Sequence, residues 1–258
     1  MDYSAIRYDL NKGVATITLN RPDVMNALNT QMRAEIADAV RRGGTTARVV
    51  VLTGAGRAFC AGQDLGDGGN AARLDLERTL RDEYIPMLTA ITACPVPVIS
   101  AVNGAAAGAG ANLALAADVV IASEDAFFMQ AFTRIGLIPD SGGTWLLPRL
   151  IGGARAMGAM LFSDRISARQ AADWGMIYET APAANFEAYW QDRAQQLATG
   201  PTLAYRHLKT ALAATWDHDL EQQLALEGEL QGQCGKSRDF REGVVAFLEK
   251  RSAAFEGR

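Results

Sequence analysis

The chain has 258 residues, of which 49% are hydrophobic and 21% charged, and its formal net charge is −4. This length suffices for one large core, with or without a helical appendage. The acidic balance argues against nucleic acid as the main partner, because phosphate binding needs a basic face. Cys60, Cys94 and Cys234 form no disulfide framework or CxxC metal motif. With no signal peptide and no membrane-length apolar run, the sequence predicts a cytoplasmic protein.

The first two thirds of the chain predict alternating strands and helices. Alternating hydrophobicity predicts strands over Ala5–Leu10 and Val14–Leu19, and helical periodicity predicts a helix over Asn29–Arg42 that stops at Gly43-Gly44. Residues 54–70 are glycine-rich and predicted to be irregular. Further strands are predicted at Arg48–Thr53, Pro97–Val102 and Val119–Ala122, and further helices at Ala71–Ala93 (bent at Pro86) and Gly108–Ala116. Such alternation is typical of an α/β fold with a parallel sheet.

The last third changes character and is predominantly helical. Five helices are predicted, over Ala168–Trp174, Phe186–Thr199, Pro201–Ala213, Leu220–Gln233 and Asp239–Lys250. One short strand is predicted at Met176–Glu179. We therefore expect an α/β core over residues 1–195 and a helical C-terminal subdomain over residues 196–258 that packs on it.

Three short segments could carry chemistry, each at a junction where α/β folds place ligands. Residues 54–65 (GAGRAFCAGQDL) follow a buried strand and leave backbone N–H groups open, although a plain turn explains them as well. Residues 103–112 (NGAAAGAGAN) open a helix, whose start favours negative charge. Tight packing through Gly and Ala explains this segment equally well, and it has neither P-loop nor GxGxxG spacing.

The third segment, residues 135–145, holds a lone carboxylate. Asp140 stands between apolar Leu-Ile-Pro and a glycine-rich helix start. It could be a plain helix N-cap, or a general base held partly out of water. Apolar surroundings raise a carboxyl pKa and a helix N-terminus lowers it, so the sequence leaves the net shift open. On local grounds alone the cap is favoured.

Other short segments extend this pattern over essentially the whole chain. They are Leu19-Asn20-Arg21-Pro22, Asn26-Ala27-Leu28-Asn29, Pro95-Val96-Pro97-Val98-Ile99, Trp174-Gly175-Met176-Ile177, Arg241-Glu242-Gly243 and Phe247-Leu248-Glu249-Lys250-Arg251. In order and spacing, these segments and the three clusters resemble the crotonase superfamily, also called the enoyl-CoA hydratase/isomerase family. The resemblance implies a ClpP-like α/β fold of repeated ββα units. It also implies that the helical C-terminal subdomain mediates trimerisation, giving a homotrimer or a dimer of trimers.

The resemblance further implies an acyl-coenzyme A thioester as the ligand. Family members hold the thioester oxygen between two backbone N–H groups, which by position belong to Gln63 and Ala109. Such an oxyanion hole stabilises the enolate formed when a proton leaves the neighbouring carbon, by about 3–4 kcal/mol for one donor. Coenzyme A is then part of the substrate, and neither a permanently bound cofactor nor a metal is expected.

The resemblance also assigns residues to the coenzyme A channel. The loop with Ala61, Gln63, Asp64 and Leu65 would line it. Phe247 and Lys250 match positions that contact the adenine end, often that of a neighbouring subunit's ligand.

Two positions depart from the hydratase pattern. Hydratases use two glutamates to activate and protonate a water, and here Asn112 and Phe132 stand at those positions. An amide cannot accept and return a proton at neutral pH, and phenylalanine cannot bind water. Asp140 remains, at a position where hydratases commonly have glycine and where some isomerases and a hydrolytic dehalogenase of the superfamily have aspartate.

One carboxylate is what an isomerase needs. It removes a proton from C2 of a 3-enoyl-CoA, the oxyanion hole holds the dienolate, and the same acid returns the proton at C4. The run from Ala131-Phe132 through Pro139-Asp140 to Ala154-Arg155-Ala156-Met157-Gly158 is similar to the phenylacetate-pathway isomerase branch. That branch converts ring-1,2-epoxyphenylacetyl-CoA to oxepin-CoA and also shifts double bonds in straight-chain enoyl-CoAs.

Other functions stay open at this point. A dehalogenase or thioesterase would use Asp140 as a nucleophile, and the dehalogenase needs a histidine base, for which the chain offers His207 and His218. A hydratase could recruit another carboxylate, with Asp64, Asp67 and Asp75 as candidates. If Asp140 is only a cap, the chain could be a non-catalytic acyl-CoA binder. An RNA-binding relative is disfavoured by the acidic balance.

Overall fold

A six-stranded sheet forms the centre of the molecule in the computed structural model, which describes residues 3–66 and 75–258. With strands numbered in chain order, it contains Ile6–Asn11 (β1), Val14–Leu19 (β2), Val49–Gly54 (β3), Val98–Val102 (β5), Val119–Ser123 (β7) and Glu179–Ala181 (β10). The spatial order is β1-β2-β3-β5-β7-β10. β1 and β2 pair as an antiparallel hairpin, and the other pairs are parallel.

A second, smaller sheet lies beside the ends of the first. It contains Ala58–Cys60 (β4), Ala105–Ala107 (β6), Phe127–Met129 (β8) and Ile166–Ser167 (β9), in the order β4-β6-β8-β9. Strands β4, β6 and β8 each follow a strand of the large sheet after a short turn, which gives the repeated ββα arrangement. The sequence placed β4 in an irregular segment and β6 in a loop, and both assignments are wrong. Three-residue strands built largely from small residues carry no readable alternation.

Helices cover both faces of the large sheet. The α-helices of the described residues are Thr30–Thr46 (α1), Leu76–Thr79 (α2), Ile85–Thr92 (α3), Ala109–Leu115 (α4), Gly143–Phe162 (α5), Ala168–Asp173 (α6), Phe186–Ala198 (α7), Thr202–Ala214 (α8), Leu220–Cys234 (α9) and Arg238–Glu249 (α10). A π-helical segment, Leu80–Tyr84, joins α2 to α3. Among the described residues, none of these helices is both long and apolar enough to cross a bilayer.

Three local predictions need correction. α1 runs through Gly43-Gly44 to Thr46, because both glycines are packing positions: an added Cβ would lie 2.8 Å from a Val50 methyl and 2.9 Å from the Pro95 ring, respectively. Pro86 lies in the first turn of α3, where proline is tolerated, and a π-helical segment precedes it. The strand predicted at Met176–Glu179 is Glu179–Ala181 instead.

The hydrophobic core has two parts because the parallel strands are buried on both faces. Val50 and Leu52 of β3 pack towards α1, whereas Val49 and Val51 pack towards Trp190 of α7. This explains why β3 appears in the sequence as a continuous apolar run. The strand ends lead directly into the segments that carry the candidate chemistry.

The helices after residue 196 are held to the core by polar contacts. Arg48 donates to the hydroxyl of Thr202 and to the carbonyls of Gly200 and Phe255. Lys209 of α8 pairs with Asp118, a carboxylate that also accepts the N–H of Val98. The predicted boundary between residues 195 and 196 falls inside α7, and the division into two subdomains stays a prediction.

Candidate active site

The first glycine-rich segment directs the N–H of Gln63 away from its own strand partner. Leu28 forms a parallel bridge with Gln63: the Leu28 N–H donates to the Gly62 carbonyl at 2.7 Å, and the Asp64 N–H donates to the Leu28 carbonyl at 3.1 Å. In a parallel bridge of this kind, the residue between the two bonded neighbours points its own N–H to the opposite side. The Gln63 N–H therefore faces away from Leu28.

The second glycine-rich segment meets the first on that side. Ala109 is the first residue of α4, where N–H groups have no partner within the helix. A Cβ added to Gly62 would lie 2.8 Å from the Ala107 carbonyl oxygen and 3.4 Å from the Ala109 nitrogen. The two turns are thus in contact, with Gln63 and Ala109 adjacent. Two N–H donors on facing turns are the arrangement that binds a carbonyl oxygen or oxyanion.

All three sequence clusters line one cavity of about 280 Å³. The first contributes Ala61, Gly62, Gln63 and Leu65, the second Gly108 and Ala109, and the third Leu137 and Asp140. A second cavity of about 440 Å³ adjoins it and shares Asp140 with it. The walls of this second cavity are mostly apolar and include Leu80, Ile85 and Leu88. Asp140 therefore lies where the cavity lined by Gln63 and Ala109 meets the apolar cavity.

Asp140 is not the cap of α5. The N-cap is Gly142, and no side chain caps the helix. Ser141 and Gly142 both have positive φ, of 51° and 80°, and the Gly143 N–H donates to the Asp140 carbonyl at 2.9 Å. These features define a type I′ turn with Asp140 at its first position. The cap interpretation is wrong because this tight turn separates Asp140 from the helix start.

The Asp140 carboxyl is half-buried, and its side chain accepts a hydrogen bond from the next residue. The Ser141 hydroxyl donates to Oδ1 at 2.8 Å. Burial raises the pKa of Asp140, because removal from water disfavours the charged form, and the Ser141 bond lowers this pKa in part. A carboxylate with a raised pKa is a stronger base, which suits the removal of a carbon-bound proton.

The two positions that carry glutamates in hydratases offer no ionisable group here. Asn112 is fully buried, its Nδ2 donates to the Asp140 carbonyl at 2.8 Å, and its Oδ1 accepts from Gln130 at 2.8 Å. Phe132 is buried and lines the cavity, and its ring lies 3.9 Å from where a Cβ on Gly108 would be. Neither side chain can activate a water.

The alternative carboxylates are engaged elsewhere. Asp64 pairs with Arg21 at 2.8 Å, and Asp75 accepts the Arg78 N–H at the start of α2. Neither of them lines either cavity. Asp67 lies outside the described residues. Within residues 3–66 and 75–258, Asp140 is the one acidic side chain in the walls of the cavity that Gln63 and Ala109 line.

Both histidines lie away from Asp140. His207 belongs to α8, and His218, between α8 and α9, contacts Gln223 at 3.2 Å. Neither lines the cavities that contain Asp140. The histidine-assisted hydrolysis that a dehalogenase needs therefore lacks its base at this site.

The sequence missed a polar network around the side chain of Gln63, one member of which, Tyr84, also lines the cavity. The Oε1 atom of Gln63 accepts from the Tyr84 hydroxyl at 2.6 Å and from Arg33 Nη1 at 2.9 Å. Arg33 is buried, also donates to the Leu28 carbonyl and pairs with Glu83 at 2.6 Å. One signal was available, because Arg33 falls on the apolar stripe of α1, where a charged residue needs a buried partner. No sequence pattern predicted the π-helical segment that contains Glu83 and Tyr84.

Phe247 and Lys250 lie far along the chain, at the end of α10. Phe247 is 82% exposed and lines an apolar groove of about 640 Å³ with Phe240, Val244 and Leu248. Within one chain, neither residue reaches the walls of the Asp140 cavities. Their contact with coenzyme A on a neighbouring subunit stays a prediction.

Known proteins resemble this chain over its full length. Residues 9–258 match the family described as enoyl-CoA hydratase/isomerase. A Rhodobacter capsulatus protein named "Probable enoyl-CoA hydratase" is 60% identical over 258 residues, which is all of both chains. The 1,2-epoxyphenylacetyl-CoA isomerase of Escherichia coli is 46% identical over 254 residues, covering 96% of this chain and 97% of its own.

Solved structures agree with these relatives. A protein from Mycobacterium abscessus has a TM-score of 0.94 and 41% identity, over 98% of this chain and 100% of its own. An enoyl-CoA hydratase from Bacillus anthracis has a TM-score of 0.91 and 33% identity, over 99% and 100%. The crotonase fold expected from the sequence is thereby confirmed. The chain belongs to the enoyl-CoA hydratase/isomerase family, whose enzymes act on acyl-CoA substrates.

Proposed function

We propose that this chain is an acyl-CoA isomerase that moves a double bond by proton transfer between C2 and C4, with Asp140 as the base. One observation carries the proposal. Among the described residues, Asp140 is the one carboxyl that lines the cavity containing Gln63 and Ala109, and the two hydratase glutamate positions hold Asn112 and Phe132.

The proposed reaction needs no water. The thioester oxygen accepts hydrogen bonds from the Gln63 and Ala109 N–H groups. The Asp140 carboxylate takes a proton from C2 of a 3-enoyl-CoA, and the C–H electron pair delocalises onto the thioester oxygen to give a dienolate. The Asp140 carboxylic acid then protonates C4, and the new double bond lies between C2 and C3. No atom is gained or lost in the reaction, and Asp140 is a carboxylate again at the end.

For the native substrate we propose 1,2-epoxyphenylacetyl-CoA, with oxepin-CoA as product, and 3-enoyl-CoA isomerisation as a further activity. The 46% identity to the Escherichia coli isomerase of that name supports this choice. So does the apolar cavity of about 440 Å³ beside Asp140, which has room for a ring or a medium-length chain.

The coenzyme A moiety is proposed to enter past Ala61, Gln63, Asp64 and Leu65. Phe247 and Lys250 would contact its adenine end from a neighbouring subunit, within a homotrimer or a dimer of trimers. The exposed apolar groove of α10 is consistent with burial against another subunit.

Hydration of 2-enoyl-CoA is the second candidate function. It is favoured by the 60% identity to the Rhodobacter capsulatus protein whose name describes a hydratase. It would need a base for water other than the residues at positions 112 and 132.

The test compares the wild-type chain with Asp140→Asn, and with Asp125→Asn as the control for an exposed aspartate. Conversion of a 3-enoyl-CoA to its 2-enoyl isomer is followed by ultraviolet absorbance. Loss of a general base predicts a fall in kcat of about 10²–10⁴-fold for Asp140→Asn. We expect wild-type rates from the control and little hydration of crotonyl-CoA by any of the three proteins. Unchanged turnover by Asp140→Asn, or hydration by the wild type faster than isomerisation, would refute the proposal.

A further inference from the structure

We propose that Asn112 is a positioning residue for this isomerisation. Its side-chain amide fixes the backbone of Asp140, and thereby holds the carboxyl where it reaches both C2 and C4. This inference rests on the proposed function, since it concerns the residue assigned as the base. It gives a role to the side chain that stands where a hydratase has a glutamate.

The Asp140 carbonyl is held from two directions. It accepts the Gly143 N–H at 2.9 Å within the type I′ turn, and Asn112 Nδ2 at 2.8 Å from α4. The turn places Ser141, a residue with a side chain, at a φ of 51°. Such a conformation is strained for a residue with a Cβ and persists only when the surroundings enforce it. The Asn112 bond ties this turn to helix α4.

The approach of Asn112 depends on a missing side chain. A Cβ added to Gly143 would lie 2.4 Å from Asn112 Nδ2 and 2.9 Å from its Cγ. Glycine at this position is therefore required for Asn112 to reach the carbonyl. The Asn112 side chain thus occupies the space that a side chain at position 143 would fill.

The orientation of the Asn112 amide follows from its partners. The Asp140 carbonyl can only accept a hydrogen bond, so the Asn112 NH₂ group must face it. The Asn112 oxygen then faces Gln130, whose Nε2 donates to it at 2.8 Å, and both residues are buried. A carboxylate at position 112 would place an acceptor against the carbonyl, and an aliphatic side chain would leave the carbonyl with one donor. Asparagine both donates a hydrogen bond to the Asp140 carbonyl and accepts one from Gln130.

One short helix therefore sets the distance between the two halves of the catalytic machinery. Ala109, the second oxyanion donor, and Asn112, the anchor of Asp140, are three residues apart on the fully buried helix α4. The thioester oxygen is bound at the start of this helix and the base is tied to its next turn. A base that serves two carbons must be held to a fraction of an ångström, since a displacement of about 1 Å can cost about 10²-fold in rate.

The test measures how the dienolate partitions, and not only how fast it forms. The reaction is run in D₂O, and ¹H NMR with mass spectrometry measures deuterium at C2 of the recovered 3-enoyl-CoA per molecule of 2-enoyl product. A displaced Asp140 still removes the C2 proton but delivers less well to C4, so exchange rises relative to product. A variant that is merely less well folded has fewer active sites and an unchanged ratio.

For Asn112→Ala we expect kcat to fall about 10- to 10²-fold with little change in KM, and the exchange ratio to rise. Gln130→Leu keeps Asn112 but removes the hydrogen bond to its Oδ1. We expect the same changes in kcat and exchange ratio, but smaller ones. This variant tests the positioning role if Asn112→Ala does not fold. The control is Asn26→Ala, which removes a buried asparagine that donates to the Ala55 and Ala58 carbonyls and accepts the Arg21 N–H. It should lower Tm and leave the exchange ratio as in the wild type.

The failure of this inference is distinct from that of the proposed function. If the wild type isomerises, Asp140→Asn does not, and the Asn112 and Gln130 variants keep the wild-type exchange ratio, the positioning role is wrong and the isomerase stands. If the wild type does not isomerise, or Asp140→Asn remains active, both fall together.

Discussion

The hydroxyl of Tyr84 donates a 2.6 Å hydrogen bond to the side-chain Oε1 of Gln63, the residue whose backbone N–H faces the Ala109 turn. Burial raises the pKa of Tyr84, with Arg33 offsetting part of the effect, so the hydroxyl stays protonated and acts as a donor. Arg33 donates to the same oxygen from the side of α1. The side chain of Gln63 is thus held by two donors, one of them in the cavity wall, and this restrains its main chain as well.

Tyr84→Phe should weaken the oxyanion hole without removing it. The Arg33 bond to Gln63 remains, so we expect about a tenfold fall in kcat, smaller than the loss of a donor itself. Stability should fall by about 0.5–1.5 kcal/mol for the lost hydrogen bond. Steady-state kinetics and denaturant unfolding measure the two effects. Tyr3→Phe is the matched control, because it removes an exposed tyrosine bond to Asp38 far from the cavity. Equal kcat in Tyr84→Phe and Tyr3→Phe would contradict the role of Tyr84.

Gly62→Ala should separate the two oxyanion donors. The φ of Gly62 is 95°, and an added Cβ would lie 2.8 Å from the Ala107 carbonyl oxygen. The turns must move apart, so we expect a loss of kcat of about 10²-fold, comparable to removal of one donor. In Gly228→Ala, the added methyl meets no atom within 4 Å on helix α9. That control should stay fully active and gain about 0.5–1 kcal/mol. Full activity in Gly62→Ala would show that the two turns do not form the oxyanion site.

Two substitutions of Ser141 separate electrostatics from backbone strain. Ser141→Ala and Ser141→Gly both remove the hydroxyl that stabilises the Asp140 carboxylate, so both should raise the pKa of Asp140 further. Because the base must be deprotonated, the acid limb of the kcat/KM profile should move to higher pH in both variants. Only glycine relieves the positive φ, so Ser141→Gly should have the higher Tm of the two. An acid limb that stays in place in both variants would mean that Ser141 does not tune the base.

Asp140→Asn should stabilise the fold while it lowers kcat. The pKa of Asp140 is raised in the folded state, so its contribution to stability is fully present below the unfolded pKa of about 3.8 and is lost as pH rises through the folded value. A neutral amide avoids that loss. The Tm advantage of Asp140→Asn over the wild type should therefore be small near pH 4 and grow towards pH 7. Thermal unfolding of both proteins across this pH range measures the Tm difference. A difference that does not change with pH would show that burial does not disfavour the charged form of Asp140.

The sequence predicted many of the longer elements, although the helix over Gly143–Phe162 was not among them. The strand over Val14–Leu19 was predicted with its correct bounds, and the late helices were found to within a few residues. It also located the three segments that line the cavity. The family resemblance then singled out Asp140 as the acid, because positions 112 and 132 carry no carboxylate. Burial imposes repeating patterns on long elements, and these patterns can be read from the residues alone.

The tertiary structure decided what depends on contacts between distant segments. Gly43-Gly44 looked like a helix stop and proved to be a packing site, because Val50 and Pro95 approach it from outside the helix. The sequence favoured Asp140 as a helix cap, but a turn in which Ser141 and Gly142 have positive φ separates Asp140 from the start of the helix. The roles of Asn112 and Tyr84 rest on single hydrogen bonds across 28 and 21 residues. Hydrogen bonds between residues so far apart leave no local pattern, so only the folded chain shows them.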